Sequence, residues 1–226
     1  MKILPFIFAT ASALLPVAVQ KSGLSQKHSF KMKMLCALLY LITGILSAIT
    51  LSEATGYSVM VLSALASGFF GDFFLSYKND RHFFVGVVFF AFGHLIYSLT
   101  FLCVGPNRAS TSLPLVAIIT TVITAAALIF AKLKLTLKGK KRLLLVYAPI
   151  LIFAFVCSVV CAGVAIANGN LPFGLCLAVG GTLFFASDIM IGVDKGGIKR
   201  PEFLHNAVSY TYFTAQALFA LSIYFQ

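Results

Sequence analysis

The chain has 226 residues, 60% of them hydrophobic and 10% charged, with a formal net charge of +11. Soluble domains carry about 25% charged residues, so this composition, with a mean hydropathy of +1.01, excludes an ordinary soluble fold and specifies an integral membrane protein. The bases lie between apolar runs, which assigns them to water and anionic lipid headgroups and excludes nucleic acid as a partner.

A membrane crossing needs about 20 apolar residues. Eight runs meet that length, near 3–20, 34–51, 56–77, 82–104, 113–131, 143–167, 171–193 and 203–225. The expected fold is therefore all-α, a polytopic bundle of eight transmembrane helices in which residues 1–226 form one domain. The first run follows Lys2 as a signal peptide would, but its length reads as a retained helix. Lys and Arg partition sharply among the connections. Fifteen of the seventeen lie between runs 1 and 2 (Lys21, Lys27, Lys31, Lys33), 3 and 4 (Lys78, Arg81), 5 and 6 (Lys132 to Arg142), and 7 and 8 (Lys195, Lys199, Arg200). Only Lys2 and Arg108 fall on the other side. By the positive-inside rule those four connections are cytoplasmic and both termini are not. The expected location is a multi-pass position in a membrane, the cell membrane if the source is bacterial.

Runs 3 and 7 stand out because each carries an aspartate, Asp72 in SGFFGDFFLSY and Asp188 in GTLFFASDIMIGV. The other four acids (Glu53, Asp80, Asp194, Glu202) lie in polar breaks. A carboxylate inside a membrane helix costs about 2.5–3.5 kcal/mol on insertion scales, so such residues face cavities and carry function. Both runs head toward the cytoplasm, with Asp72 five residues before Tyr77 and Asp188 five before Val193. At about 1.5 Å per residue, both carboxylates lie roughly 8 Å below the boundary. Equal depth is what one shared site requires. Gly68 and Gly71 flank the first aspartate, Ser187 and Gly192 the second, and small residues let helices approach closely. The likeness of GFFGD to FFASD, each followed by a basic connection, also points to two parallel four-helix repeats. The bland alternative is a pair of carboxyls hydrogen-bonded for packing.

Run 8 supplies His205, Ser209, Tyr212 and Gln216 on one helix face, the pattern of a water-lined cavity or of interhelical glue. In run 4, His94 and Tyr97 share a face with Gly86 and Gly93, which suggests tight packing there. His94 reads equally as a structural hydrogen-bonder and as a proton handler. The five cysteines fall in apolar runs, with Cys157 and Cys161 one turn apart and no histidines at zinc spacing, so they read as packing residues. No GxSxG, HExxH or phosphate-cradling loop occurs, and neither a metal nor a cofactor is expected. Two acids, a histidine, a tyrosine and an amide suit acid–base work on a lipid-like substrate.

The segments ASGFFGDFFLSY, FFVGVVFFAFGHLIYSLTF, GTLFFASDIMIGV and SYTYFTAQALFALS resemble the YhhN-like lysoplasmalogenase family of integral membrane proteins. The resemblance spans roughly residues 30–225 and is specific at Gly71-Asp72 with His94 and Tyr97, at Ser187-Asp188, and at Tyr212 with Gln216. It implies an eight-helix hydrolase that cleaves the vinyl ether bond of a lysoplasmalogen, a lysophospholipid, into a fatty aldehyde and a glycerophospho-ethanolamine or -choline. It also implies that Asp72 and Asp188 are the catalytic pair. His94, Tyr97, Ser187, Ser209, Tyr212 and Gln216 are the expected substrate-binding or water-orienting residues. One departure is at Lys33, which Met34 follows where family members often carry Lys-Pro.

The chemistry suits these residues. A vinyl ether hydrolyses when its β-carbon is protonated and water captures the oxocarbenium ion. One carboxyl then carries its proton near neutral pH, which burial favours, while the other stays ionised, as in glycosidases. The competing expectation is a proton- or cation-coupled transporter, because paired membrane carboxylates and repeats are also transporter features. A non-catalytic lipid-binding scaffold is a third, and it would tolerate loss of both carboxylates.

Overall fold

The structure, a computed structural model, describes residues 2–21, 29–51, 53–77, 79–104, 113–134, 143–195 and 202–226. Among them the chain forms eight α-helices and no strand. These are α1 (Leu4–Lys21), α2 (Ser29–Ile49), α3 (Gly56–Leu75), α4 (Asp80–Leu99), α5 (Leu113–Lys134), α6 (Leu143–Ala167), α7 (Leu171–Lys195) and α8 (Glu202–Phe225). A π-helical turn, Thr100–Val104, extends α4. By length and composition, five helical stretches can cross a membrane: Phe30–Ile49, Gly56–Leu75, Asp80–Val104, Leu145–Ala167 and Leu171–Val193. The apolar stretches of α1 and α5 are shorter, Leu4–Ala18 and Leu115–Ile129. Large apolar side chains stand exposed around the bundle, among them Ile45, Phe92, Ile118, Val122, Val146 and Leu175. A surface of this kind belongs against lipid rather than water.

Local sequence sets the helix ends. Thr55 accepts from the Ser58 backbone while Ser58 bonds back to Thr55, a capping box that starts α3. Asn79 Oδ1 accepts from the His82 backbone at 2.9 Å and starts α4. One end departs from expectation. Helix α2 begins at Ser29, so Lys31 and Lys33 lie on its first turns rather than in a connection. A lysine is compatible with a first helical turn because its long stem can carry the ammonium to a polar region while the backbone stays helical.

Helix α8 is the hub: it packs against α1, α2, α3 and α7. Helix α4 lies on α3 and α6, and α5 packs on α6 with most of its face exposed. The α2/α8 and α4/α6 contacts exchange when the chain is shifted by four helices, as parallel repeats require. The α1/α8 contact has no comparable α4/α5 counterpart. Glycine makes the α3/α4 contact close. A Cβ on Gly86 would stand 2.7 Å from Leu75 Cγ and 3.2 Å from the Gly71 carbonyl oxygen. The end of α3 nearest Thr55 is tied to α8 by Tyr57 Oη and Ser222 Oγ at 2.6 Å. At the other end the helices part around a cavity.

Candidate functional site

The cavity, of about 110 Å³, has room for several waters. Its lining residues share one end of the bundle, the C-terminal ends of α3 and α7 and the N-terminal parts of α2, α4, α6 and α8. Leu75, Phe83, Val87, Phe90, Ile191 and Phe213 give it apolar walls. Both aspartates line it, Asp72 from α3 and Asp188 from α7. Their sequence separation is bridged by packing, since α3 and α7 both lie against α8. Ser209 and Tyr212 of α8 and Lys33 of α2 complete the polar lining with Tyr147 of α6.

Asp72 is nearly buried, at 8% exposure. Tyr212 Oη donates to its Oδ2 at 2.8 Å. Gln216 Nε2 donates to that tyrosine oxygen at 3.1 Å, and Tyr97 Oη donates to Gln216 Oε1 at 2.8 Å. The stripe on α8 is thus a relay reaching from α4 to the carboxylate. It fits because residue 68 is glycine: a Cβ there would stand 2.6 Å from Gln216 Nε2 and 3.3 Å from Tyr212 Oη. Gly68 is one turn before Asp72 in α3, so Gln216 lies one turn deeper in the bundle than the acid.

Asp188 has different neighbours. Tyr147 Oη donates to its Oδ2. His94 Nε2 stands 3.9 Å from the same oxygen, with the histidine side chain 3% exposed and the aspartate's 9%. The ring is held by its other nitrogen, Nδ1, which donates to the Phe90 carbonyl at 2.8 Å. Nε2 is then a buried polar atom without a hydrogen-bond partner. Ser187 Oγ donates to the Phe184 carbonyl at 2.8 Å and lies 3.3 Å from Asp188 Oδ1.

Sequence reasoning and structure differ at several positions. Of the six expected substrate contacts, Ser209 and Tyr212 line the cavity, whereas His94, Tyr97, Ser187 and Gln216 stand behind its wall. Their polar atoms bond one another and the backbone, which holds the lining groups in place. The His205 side chain lies outside the described residues. Gly192 was expected to admit a close neighbour, yet among the described residues nothing stands within 4 Å of a Cβ built there. Tyr147 went unnoticed in the sequence because it interrupts the apolar run LLLVYAPIL only once. Its position five residues after Arg142 matches the depth rule that singled out the aspartates, and that rule could have found it. Lys33 also belongs to the cavity, a consequence of the early start of α2. Cys157 and Cys161 are buried in the core as packing residues. Among the described residues, no three His, Cys, Asp or Glu side chains are grouped as a metal site would need.

These features define a class, a membrane-embedded helical bundle with two carboxylates facing one amphipathic cavity. The chain belongs to the YhhN family, whose sequence profile matches residues 26–223. No curated protein and no solved structure matches it.

Proposed function

We propose that this protein is a membrane-embedded hydrolase that cleaves the vinyl ether bond of a lysoplasmalogen, with Asp72 and Asp188 as its catalytic pair. The reading also takes all eight helices as membrane spans, with both termini on the non-cytoplasmic side and the cavity at the cytoplasmic end. The observation that carries it is the convergence on one cavity of two carboxylates 116 positions apart in sequence (188 − 72). Family membership supports the reaction class.

In this reading one carboxyl gives its proton to the β-carbon of the vinyl ether. The C=C electrons form the new C–H bond and leave an oxocarbenium ion at the α-carbon. The second carboxylate, as an anion, steadies that charge and takes a proton from attacking water, the division of labour of glycosidases. The hemiacetal then collapses to aldehyde and glycerophospholipid alcohol. The apolar walls suit the alkenyl chain, and Lys33 sets a positive charge in the lining that suits a phosphate headgroup. The sn-1 linkage of a lysolipid lies just beneath its headgroup, the depth at which the acids sit.

The test is turnover by purified protein in detergent. Lysoplasmalogen is supplied and fatty aldehyde is read by mass spectrometry. A hydrolase works without a sealed membrane, whereas a transporter requires one.

A further inference from the structure

Resting on the proposed use of Asp72, we infer that Tyr40 of α2 is a positioning residue for that carboxylate, a reserve hydrogen-bond donor that holds it more strongly when it is charged.

Tyr40 is fully buried, and its hydroxyl has no hydrogen-bond partner. The ring packs edge-on against Tyr212, with centroids 6.5 Å apart, and its centroid lies 6.4 Å from that of Phe213. A phenylalanine would make the same ring contacts. The hydroxyl adds to them only the cost of a buried, unpaired polar atom, so its presence calls for a role outside packing.

Its position supplies that role. A Cβ built on Gly68 would stand 3.4 Å from Tyr40 Oη and 3.3 Å from Tyr212 Oη. Both hydroxyls thus converge on the space that the glycine leaves, one turn from Asp72. Tyr40 faces Asp72 and Tyr212, with neither at hydrogen-bond geometry. Among the described residues, the Asp72 carboxylate accepts from Tyr212 alone. Asp188, by contrast, has two hydroxyls within hydrogen-bond distance, those of Tyr147 and Ser187. Asp72 is one donor short, and Tyr40 is a donor without an acceptor.

The hydrogen count fixes the sense of the contact. The single hydrogen of Tyr212 goes to Asp72 Oδ2, and one of its lone pairs takes the Gln216 amide. Toward Tyr40, Tyr212 therefore offers only its second lone pair, and an ionised Asp72 offers only acceptors. Tyr40 enters as a donor, to the carboxylate or to the tyrosine that serves it. A hydrogen bond of this kind is stronger when the acceptor is charged. In the proposed reaction Asp72 changes charge whether it serves as acid or as base. A donor that favours its anion therefore acts on the reaction as well as on the fold. The other titratable groups facing Asp72 are Lys33 and Cys36 of α2, Tyr212 of α8 and Asp188 of α7, and Tyr97 of α4 faces Tyr40.

The test is Tyr40→Phe in the purified full-length protein, read first by melting curves from pH 5 to 9, which need no turnover. Stability that Tyr40 lends to the anion is present above the titration of Asp72 and lost as pH falls through it. The melting temperature of the variant should therefore drop below the parent's by about 2–4 °C as pH rises. The same substitution made in Asp72→Asn should open no such gap. Tyr57→Phe, which removes a hydroxyl bonded to Ser222 at the other end of α3, should show a gap that is flat with pH, a comparison that stands even if Asp72→Asn fails to fold. In turnover, Tyr40→Phe should move one limb of the kcat profile up by about one pH unit, tenfold in the ionisation equilibrium, with KM unchanged. Whichever limb moves is the one that Asp72 controls. A gap that is flat with pH, a gap of equal size in Asp72→Asn, or a kcat profile with both limbs unmoved would overturn the inference. A parent that releases no aldehyde would refute the proposed reaction instead, and the melting curves would still decide whether Tyr40 serves Asp72.

Discussion

A single tyrosine hydroxyl shows how finely the cavity is specified. Tyr212 Oη is at once an acceptor for Gln216 and the donor to Asp72. Tyr212→Phe keeps the ring, which packs edge-on against Phe90 and Phe184, and deletes only the hydroxyl. A hydrogen bond to a charged group is worth about 1.5–3 kcal/mol, so kcat/KM on a vinyl ether lysolipid should fall by about 10- to 150-fold. The same deletion leaves Gln216 Nε2 without its acceptor, so the melting temperature should fall as well, and a steady-state assay beside a melting curve checks both. The same residues set the pH response. In the proposed mechanism turnover needs one carboxyl protonated and the other ionised, so activity should fall as pH rises through the acid's titration and fall again as pH drops through the anion's. The expected profile of kcat is a bell, and a monotonic profile from pH 4 to 10 would count against two opposed carboxyls.

The glycines decide how near the helices come. Gly68 lets α8 bring Gln216 and Tyr212 against α3, and Gly86 lets α4 seat on Leu75. Gly68→Ala puts a methyl 2.6 Å from Gln216 Nε2. The amide must shift, which strains the relay to Asp72. Overpacking of this kind costs about 1–3 kcal/mol, so the variant should both melt lower and turn over more slowly. Gly192→Ala is the contrast: with nothing among the described residues within 4 Å of the added carbon, it should leave the melting temperature and activity unchanged or slightly raise the former. Sequence legibility divides along the same line. The apolar runs fixed the eight helices to within a few residues, because the hydrophobic length requirement leaves little freedom. The α8 stripe was legible because helical spacing aligns Ser209, Tyr212 and Gln216 whatever the neighbours are. Nothing local marked Tyr147 as a partner of Asp188, since that contact depends on how α6 and α7 rotate against each other. The start of α2 was misplaced because lysines at its beginning read as a connection. Lysine is a good helix former, so the helix can begin ahead of the apolar run.

For the whole molecule, the arrangement separates an end tied by hydrogen bonds from one that opens into a cavity. Tyr57 with Ser222, and Thr55 Oγ1 donating to Gln226 Oε1 at 2.7 Å, lock α3 to α8 far from the acids. The opposite end, where basic residues cluster, opens into the cavity. The distribution of Lys and Arg predicts that a C-terminal reporter folds on the non-cytoplasmic side, and a phosphatase-type fusion checks this directly. If the two aspartates act on one substrate, as proposed, the double variant Asp72→Asn/Asp188→Asn should be hardly slower than either single one. The most direct measurement is aldehyde release from lysoplasmalogen by purified parent protein, Asp72→Asn and Asp188→Asn in detergent, each variant first shown to be folded by its melting curve. The parent should yield fatty aldehyde and each variant should lose nearly all of that activity. Absence of aldehyde from the parent, or near-full turnover in both variants, would contradict the account.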